Sequence, residues 1–387
     1  MLDKKFTLYT FYFCLLTFTL SFGQIDYDFS GYVNNFSIYQ KYNKTLSGQF
    51  KIDDSQFLNL SRARLRPVVY LTDNLRINIE YEILSLYNSS SGDLFQTVPQ
   101  KSSRQLFDWT WTPVNEANFS ISHFIDRLYL KYAFKNGNVT IGRQRVSWGT
   151  GRIWNPTDLF NPINPATFFK IEKDGADIIA FKYFLGNFTD LHLVFNPDEK
   201  IGSSNFGGRF RSNIGEYDFS FMGGSFDERI VTGADFAGNL FGAGIRGEGI
   251  FSADDDNFDD NFIKYILGID AQVSRKLYLM LEYQFNGEGK TNKVDYELNR
   301  LFSGEIINLS KSYLHFNSSY QYHPLLTITF SSNTNLNDGS GYLSLVGDYS
   351  AAENFYINLG SQFFYGSELS EYWYYSTSIY LQGEYYF

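Results

Sequence analysis

Arg62, Arg64 and Arg66 alternate with Ala63, Leu65 and Pro67. In an extended segment that spacing puts three guanidinium groups on one face. A guanidinium stays charged at any ordinary pH and grips carboxylate or phosphate oxygens through a planar fork, so the row is suited to anions. Neighbouring segments add Arg76, Glu80 and Glu82, then Arg127 and Lys131, and Arg143 and Arg145 follow further on. Two readings compete. Set against the acids across a passage, the cations form a basic ladder whose transverse field orients polar or anionic solutes. Paired directly with the acids, they only stiffen a wall.

Other reactive types are sparse. The single cysteine, Cys14, lies in an apolar run near the start, so the chain beyond it has no thiol for a disulfide, a thiolate metal site or a nucleophile. His123, His192, His315 and His323 are widely spaced and lack an HExxH or nucleophile motif. A hydrolase with a Ser/His/acid group would have to use His315 as its base; a structural histidine is the simpler reading. Asp254, Asp255, Asp256, Asn257, Asp259, Asp260 and Asn261 offer oxygen ligands but lack the glycine and terminal glutamate of a calcium loop, so they read as a solvated loop. No metal or cofactor is expected.

The elements that must position these charges are strands. From Leu75 to Ile83, apolar residues alternate with Arg76, Asn78, Glu80 and Glu82, giving one greasy and one wet face. Similar patterns recur along the chain, including 27–39, 56–71, 123–134, 138–148, 229–237, 241–252 and 372–387, to a total of about eighteen, each near the roughly ten residues a tilted strand needs to cross a bilayer. Tight turns rich in Gly, Asn, Asp or Pro, such as 72–74, 135–138, 238–239 and 323–324, alternate with longer segments such as 40–55, 86–122, 149–174, 253–260 and 287–310. All the long segments fall on one side, as they do in a transmembrane barrel with short periplasmic turns and long outer loops. Thirty Tyr and 39 Phe with 32 Gly and only 8 Pro fit strands that face lipid with every second residue. A soluble sandwich would hide its large apolar groups between sheets and needs no such excess. The predicted fold is therefore all-β, a transmembrane antiparallel up-and-down barrel of about 18 strands, with 16 to 20 as its range.

Lys4 and Lys5 precede an apolar run from Phe6 to Leu20 and the small residues Ser21 and Gly23. That order reads as a signal peptide over 1–23, with the barrel over 24–387. The net charge of −10, or −11 without that leader, argues against nucleic acid as a partner. At the other end Ile379, Leu381, Tyr385 and Phe387 share one face up to the last residue. This strand resembles the terminal signature of bacterial outer-membrane proteins, which implies recognition by the barrel-assembly machinery through Phe387.

One segment is more specific. Gly142, Arg143, Gln144, Arg145, Val146, Ser147, Trp148 and Gly149 are followed by Asn155, Pro156, Thr157, Asp158, Leu159, Phe160, Asn161 and Pro162, then Asn164 and Pro165. It resembles the GRQ…WG…NP.D.FNP pattern of porin-like outer-membrane proteins, a broad group that includes alginate-export-type channels. The resemblance is close over some 30 residues. It implies a pore-forming barrel in which this segment turns towards the lumen, and it implies nothing about alginate. Repeated Asn-Pro steps keep 155–165 out of helix and ladder, so a rigid loop is expected, with Trp148, Asn155, Pro156, Asp158, Phe160, Asn161 and Pro162 narrowing the channel. Val139 and Ile141 share an alternation with Arg143 and Arg145; a bulge at Gly142 would be needed to turn both arginines inward. The resulting expectation is a bacterial outer-membrane porin for small polar or anionic solutes, touching lipid and lipopolysaccharide, with a scaffold of blocked lumen as the alternative and an outer-membrane hydrolase as a more distant one.

Overall fold

The computed structural model describes residues 26–43, 53–90, 101–161, 172–302 and 306–387. The expected leader 1–23, Cys14, Pro162, Asn164 and Pro165 lie outside the described residues.

The strands run in chain order. β1 (Asp26–Asp28) and β2 (Gly31–Lys41) rise as one broken strand, and β3 (Ser55–Leu65) and β4 (Val68–Thr72) descend as another. The second break falls at Arg66 and Pro67, where the ring removes a ladder donor. β5 (Leu75–Asn88), β6 (Thr110–Glu116), β7 (Phe119–Phe134), β8 (Gly137–Gln144), β9 (Ala176–Phe184) and β10 (Asp190–Asn196) follow. Next come β11 (Asn205–Ile214), β12 (Tyr217–Phe226), β13 (Arg229–Leu240), β14 (Ala243–Asp254), β15 (Asn261–Gln272) and β16 (Leu277–Asn286). β17 (Ser312–His323), β18 (Leu326–Asn335), β19 (Gly341–Ala352), β20 (Phe355–Tyr365) and β21 (Thr377–Tyr386) complete the set. Each wall strand pairs antiparallel with its neighbour, and β2 pairs with both β3 and β21, so the sheet closes on itself as an 18-strand barrel. β1, β4 and β6 are the pieces that add no strand to the ring. At the seam Gly31 N–H donates to the Phe387 carbonyl at 2.9 Å and Phe387 N–H returns to the Gly31 carbonyl at 3.1 Å. A Cβ on Gly31 would stand 2.4 Å from the Arg64 carbonyl and 2.7 Å from the Phe387 ring, so closure needs glycine there.

Period-two alternation sorts the side chains as expected. On β15, Ile263, Leu267 and Ile269 are about half exposed on the outside, whereas Ile266 is fully buried on the inside. One outward patch departs from this belt: Asn35, Ser37, Asn59 and Ser61 face out, and the Asn35 amide donates to Ser61 at 2.8 Å while that of Asn59 donates to Ser37 at 2.7 Å. Their mutual bonding offsets part of the cost of holding amides beside hydrocarbon.

Three expected boundaries move. The turn expected at 238–239 falls instead at Phe241 and Gly242, both with positive φ, with Leu240 opposite Ala243. Gly238 serves packing, since a Cβ there would stand 2.1 Å from the Tyr217 ring, whose hydroxyl donates to the Asn239 carbonyl. The strand expected over 138–148 stops at Gln144, and the one expected from 372 starts at Thr377 after a 3₁₀ turn, Glu371–Tyr374. The expected loop 86–122 holds β6 and the ends of β5 and β7. The long connections nevertheless all lie at one end of the barrel, which they share with the two-residue turn Asp227–Glu228.

Candidate functional site: the lumen

β7 carries a bulge: Glu80 pairs with Arg127 and Tyr81 with Ile125, which leaves Asp126 as the extra residue. Two consecutive side chains, Asp126 and Arg127, thereby reach the same interior cluster. Arg62 meets Glu82 at 2.8 Å. Arg64, almost fully buried, bonds Glu80 at 2.8 Å, Glu82 at 3.0 Å and Asp126. Arg66 bonds Glu172, and Arg127 bonds Glu80 at 3.1 Å and Glu172 at 3.0 Å. Four arginines are interleaved with four carboxylates. Glu80 and Glu82, expected to oppose the arginines across a passage, stand beside them on the next strand, because register and not lumen width sets the distance. This corner of the wall is charge-balanced, so the field expected from Arg62, Arg64, Arg66 and Arg127 is cancelled locally. Asp126 and Glu172 were not foreseen; the first needs the bulge, the second returns from a loop.

The expected bulge at Gly142 is absent: the ladder passes from Tyr129 through Gly142 to Ile178 without a shift. Gly142 has φ +122°, a conformation that a side chain resists. Arg143 is nonetheless buried. Its guanidinium bonds Asp177 at 2.9 Å, donates to the carbonyls of Ile125 and Phe107, and stacks 4.3 Å from the Trp109 ring. The cover comes from 101–116. Phe124 and His123 of β7 pair with Thr110 and Trp111 of β6, Ile125 N–H donates to the Trp109 carbonyl, and Asp177 N–H on β9 donates to the Arg104 carbonyl. This segment stands in the wall where the upper half of β8 would run. Arg145 lies beyond the end of β8, exposed, on the loop side.

Freed from the wall, residues 145–161 enter the barrel. Trp148 is buried, donates through Nε1 to His192 at 3.2 Å, and meets Phe160 edge-on at 5.1 Å. Val146, Trp148 and Phe160 pack on Ile178, Val194, Met222 and Ile250 of the wall. Two wall carboxylates hold the backbone beyond. Glu248 on β14 accepts the N–H groups of Thr150, Gly151 and Thr157 and the Thr157 hydroxyl. Glu282 on β16 accepts those of Arg152, Ile153 and Trp154, at 2.9–3.1 Å. Trp154 then reaches Tyr313 and His315 on β17. Counting round a ring of 18, β17 is the ninth strand from β8, so the loop spans the lumen to the opposite wall. Asn155 donates to the Gly151 carbonyl, Pro156 follows it in the same turn, and Asn161 ties the exit to the entry by accepting from Val146 N–H. Burial pushes the Asp158 carboxyl up, and its bond to Lys173 opposes that. Glu248 and Glu282 were invisible to local pattern; acidic residues at inward positions were their only signal.

Two further segments meet this loop. Trp154, Tyr313 and Tyr372 form one aromatic cluster with Ile266. Glu371, fully enclosed, accepts the Tyr313 hydroxyl at 2.6 Å, Leu309 N–H at 3.1 Å and the Asn335 amide at 2.8 Å. Burial pushes its carboxyl up to about 7. Because the folded form holds its proton more tightly than the unfolded chain, this group's contribution is complete below the usual carboxylate range and is lost as pH rises from there towards 7. Amide protection over 306–311 and 366–376, taken against the intrinsic exchange rate at each pH, is therefore expected to be lower at pH 8 than at pH 5. Glu371→Gln should flatten that difference; an unaltered pH dependence would remove Glu371 as its source.

The uncompensated charge lies lower on the wall. Arg76 faces Lys131 across β5 and β7, and neither meets an acid within ion-pair distance among the described residues. Lys182 on β9 and Arg209 and Arg211 on β11 continue the basic strip and share one carboxylate, Asp190, at 3.6, 3.8 and 3.0 Å. These three were missed because Lys182 is the only cation on β9 and Arg209 and Arg211 make only a pair on β11, short of the row at 62–66. Among the described residues no group of three His, Cys, Asp or Glu is placed to hold a metal. His315 is buried with neither ring nitrogen hydrogen-bonded, and the oxygens of Glu282 beside it are taken by loop amides.

The chain is thus a closed 18-strand antiparallel transmembrane β-barrel with an inward loop. No protein-family model matches the chain, and no curated protein matches it. Solved structures do. OccAB1 of Acinetobacter baumannii is 10% identical with TM-score 0.58, covering 94% of this chain and 96% of that one. A BenF-like porin from Pseudomonas fluorescens Pf-5 gives 10% and 0.58 over 94% and 98%. The outer membrane protein opdK from Pseudomonas aeruginosa gives 9% and 0.56 over 94% and 98%. At such identity the likeness is one of fold.

Proposed function

We propose that this barrel is a bacterial outer-membrane channel that passes small anionic or polar solutes down their gradient without a cofactor. The observation that carries the reading is the Arg76–Lys131 pair, two lumenal cations with no carboxylate at ion-pair distance among the described residues, continued by Lys182, Arg209 and Arg211. A fixed positive strip in a narrow lumen raises the local concentration of anions and lowers that of cations. Loop 145–161 narrows the passage above it. The charge that selects is thus assigned to Arg76 and Lys131; Arg62, Arg64, Arg66, Arg127 and Arg143 hold the wall and its covering segment.

The location belongs to the same reading: a secretory leader at 1–23, recognition of the Phe387-terminated strand by the assembly machinery, and a GRQ-type motif that runs from the end of β8 into the inward loop support membership of the porin-like barrels. Planar-bilayer recording under a salt gradient tests it. Arg76→Gln with Lys131→Gln should lower the anion-to-cation permeability ratio at least about twofold, in line with loss of two unscreened lumenal charges; an unshifted reversal potential would end the assignment. A scaffold with a blocked lumen is the second reading, favoured by the meeting of Trp154, Tyr313 and Tyr372 inside the barrel. Absence of conductance steps from correctly folded protein would select it.

A further inference from the structure

The wall has a notch at its long-loop end. β21 begins at Thr377, level with Lys41 on β2, and its last partner on β20 is Gln362 opposite Ser378. Phe363, Phe364 and Tyr365 therefore continue upward with no strand on that side, and the place of β21 is taken by the turn Glu371–Tyr374. Between the two flanks lies a cleft of about 520 Å³, lined by Lys41, Tyr42, Phe363, Tyr365, Trp373 and Tyr375 among others. Alternation fixes which way it opens. Lys41 follows Val33 and Tyr39, Thr377 precedes Ile379 and Leu381, and Phe363 follows Leu359; all these companions are exposed on the outer surface of the barrel. The cleft thus opens sideways towards the bilayer at its outer margin, where headgroups meet acyl chains.

Its chemistry is mixed in a defined way. Trp373 and Tyr42 pack together as a buried floor, and the Tyr42 hydroxyl is already held by the Gln56 amide at 2.8 Å. The Phe363 ring is over half exposed at the edge. Lys41 is exposed at the mouth and makes no ion pair among the described residues. Aromatic faces stack on the CH faces of sugars and on acyl chains, and an ammonium without a carboxylate attracts phosphate. We propose that the notch binds the phosphorylated sugar headgroup of an outer-leaflet glycolipid, with Lys41 on the phosphate and the Phe363 and Tyr365 rings along the sugar and its first acyl carbons. The inference rests on the outer-membrane location proposed above.

Native mass spectrometry of the purified barrel with diphosphoryl lipid A tests it, with Lys41→Glu and Phe363→Ala as variants on exposed positions. One retained lipid per barrel is expected, with retention at least tenfold weaker in Lys41→Glu, weaker for dephosphorylated lipid, and single-channel conductance unchanged. Equal retention by wild type and Lys41→Glu would overturn the proposal, and so would glucose 1-phosphate competing as well as lipid A does, which would make the notch a solute site. Cell fractionation keeps the two readings apart: a chain found in the outer membrane whose barrel ignores lipid A refutes the notch alone, whereas a chain absent from that membrane refutes the location.

Discussion

Glu248→Gln combined with Glu282→Gln is expected to raise single-channel conductance several-fold and to make the open level noisy. Glu248 and Glu282 gather six backbone N–H groups of the lumenal loop and one hydroxyl. Hydrogen bonds to a charged acceptor contribute about 1.5–3 kcal/mol each, more than neutral ones, and a carboxamide offers one acceptor oxygen where a carboxylate offers two. Each substitution also brings an NH₂ group against backbone donors. The aromatic anchors Trp148 and Phe160 remain in the double variant, so the segment 150–157 should swing while its ends stay docked. The wall itself loses nothing, since the strands bearing both residues keep their ladders. Faster amide exchange confined to 150–157 should accompany the conductance change. Unaltered conductance with unaltered exchange would show that the aromatic packing alone fixes the loop.

Arg64→Ala should produce the largest loss of stability of any single change in the lumen. Its guanidinium is shared by Glu80, Glu82 and Asp126, and removing it strips buried Asp126 of its closest cation, while Glu82 keeps Arg62 and Glu80 keeps Arg127. Breaking a buried pair by deleting one partner costs about 3–5 kcal/mol. The urea midpoint of the refolded barrel is the measure. Arg64→Met, which fills the same space, should be nearly as harmful, because the missing element is charge and not volume; near-wild-type behaviour of the methionine variant would contradict the account. Arg76→Gln is the natural comparison. With no carboxylate partner among the described residues to abandon, it should leave the unfolding free energy within about 0.5 kcal/mol of wild type, the usual range for a surface substitution, while altering selectivity.

The contrast shows where the sequence speaks. Alternation at 75–83 and its repeats is enough for the barrel and its strand count, because lipid demands an apolar residue at every second position regardless of what lies in the lumen. The inward direction of Arg62, Arg64, Arg66 and Arg76 follows from the same demand. Their partners do not. Asp126 depends on a bulge that breaks the very periodicity used to read β7, and Glu172 arrives from a connection with no periodicity at all. Glu248 lies 91–98 residues and Glu282 128–130 residues from the amides they accept, separations that only closure of the ring makes short. Gly142 misleads in the opposite sense: a glycine in a strand suggested a bulge, whereas it supplies a positive φ in an unbroken ladder. At Gly238 the same residue type makes room for the Tyr217 ring, and the reversal itself waits for Gly242.

Segment 101–116 closes the barrel beside β7 and β9 above the point where β8 ends, and with it in place the lumenal loop bears none of the burden of keeping the bilayer out. Seal and sieve are thus carried by different stretches of polypeptide. Shortening, lengthening or re-lettering the sieve can change which molecules get through, and leave the seal watertight while it does.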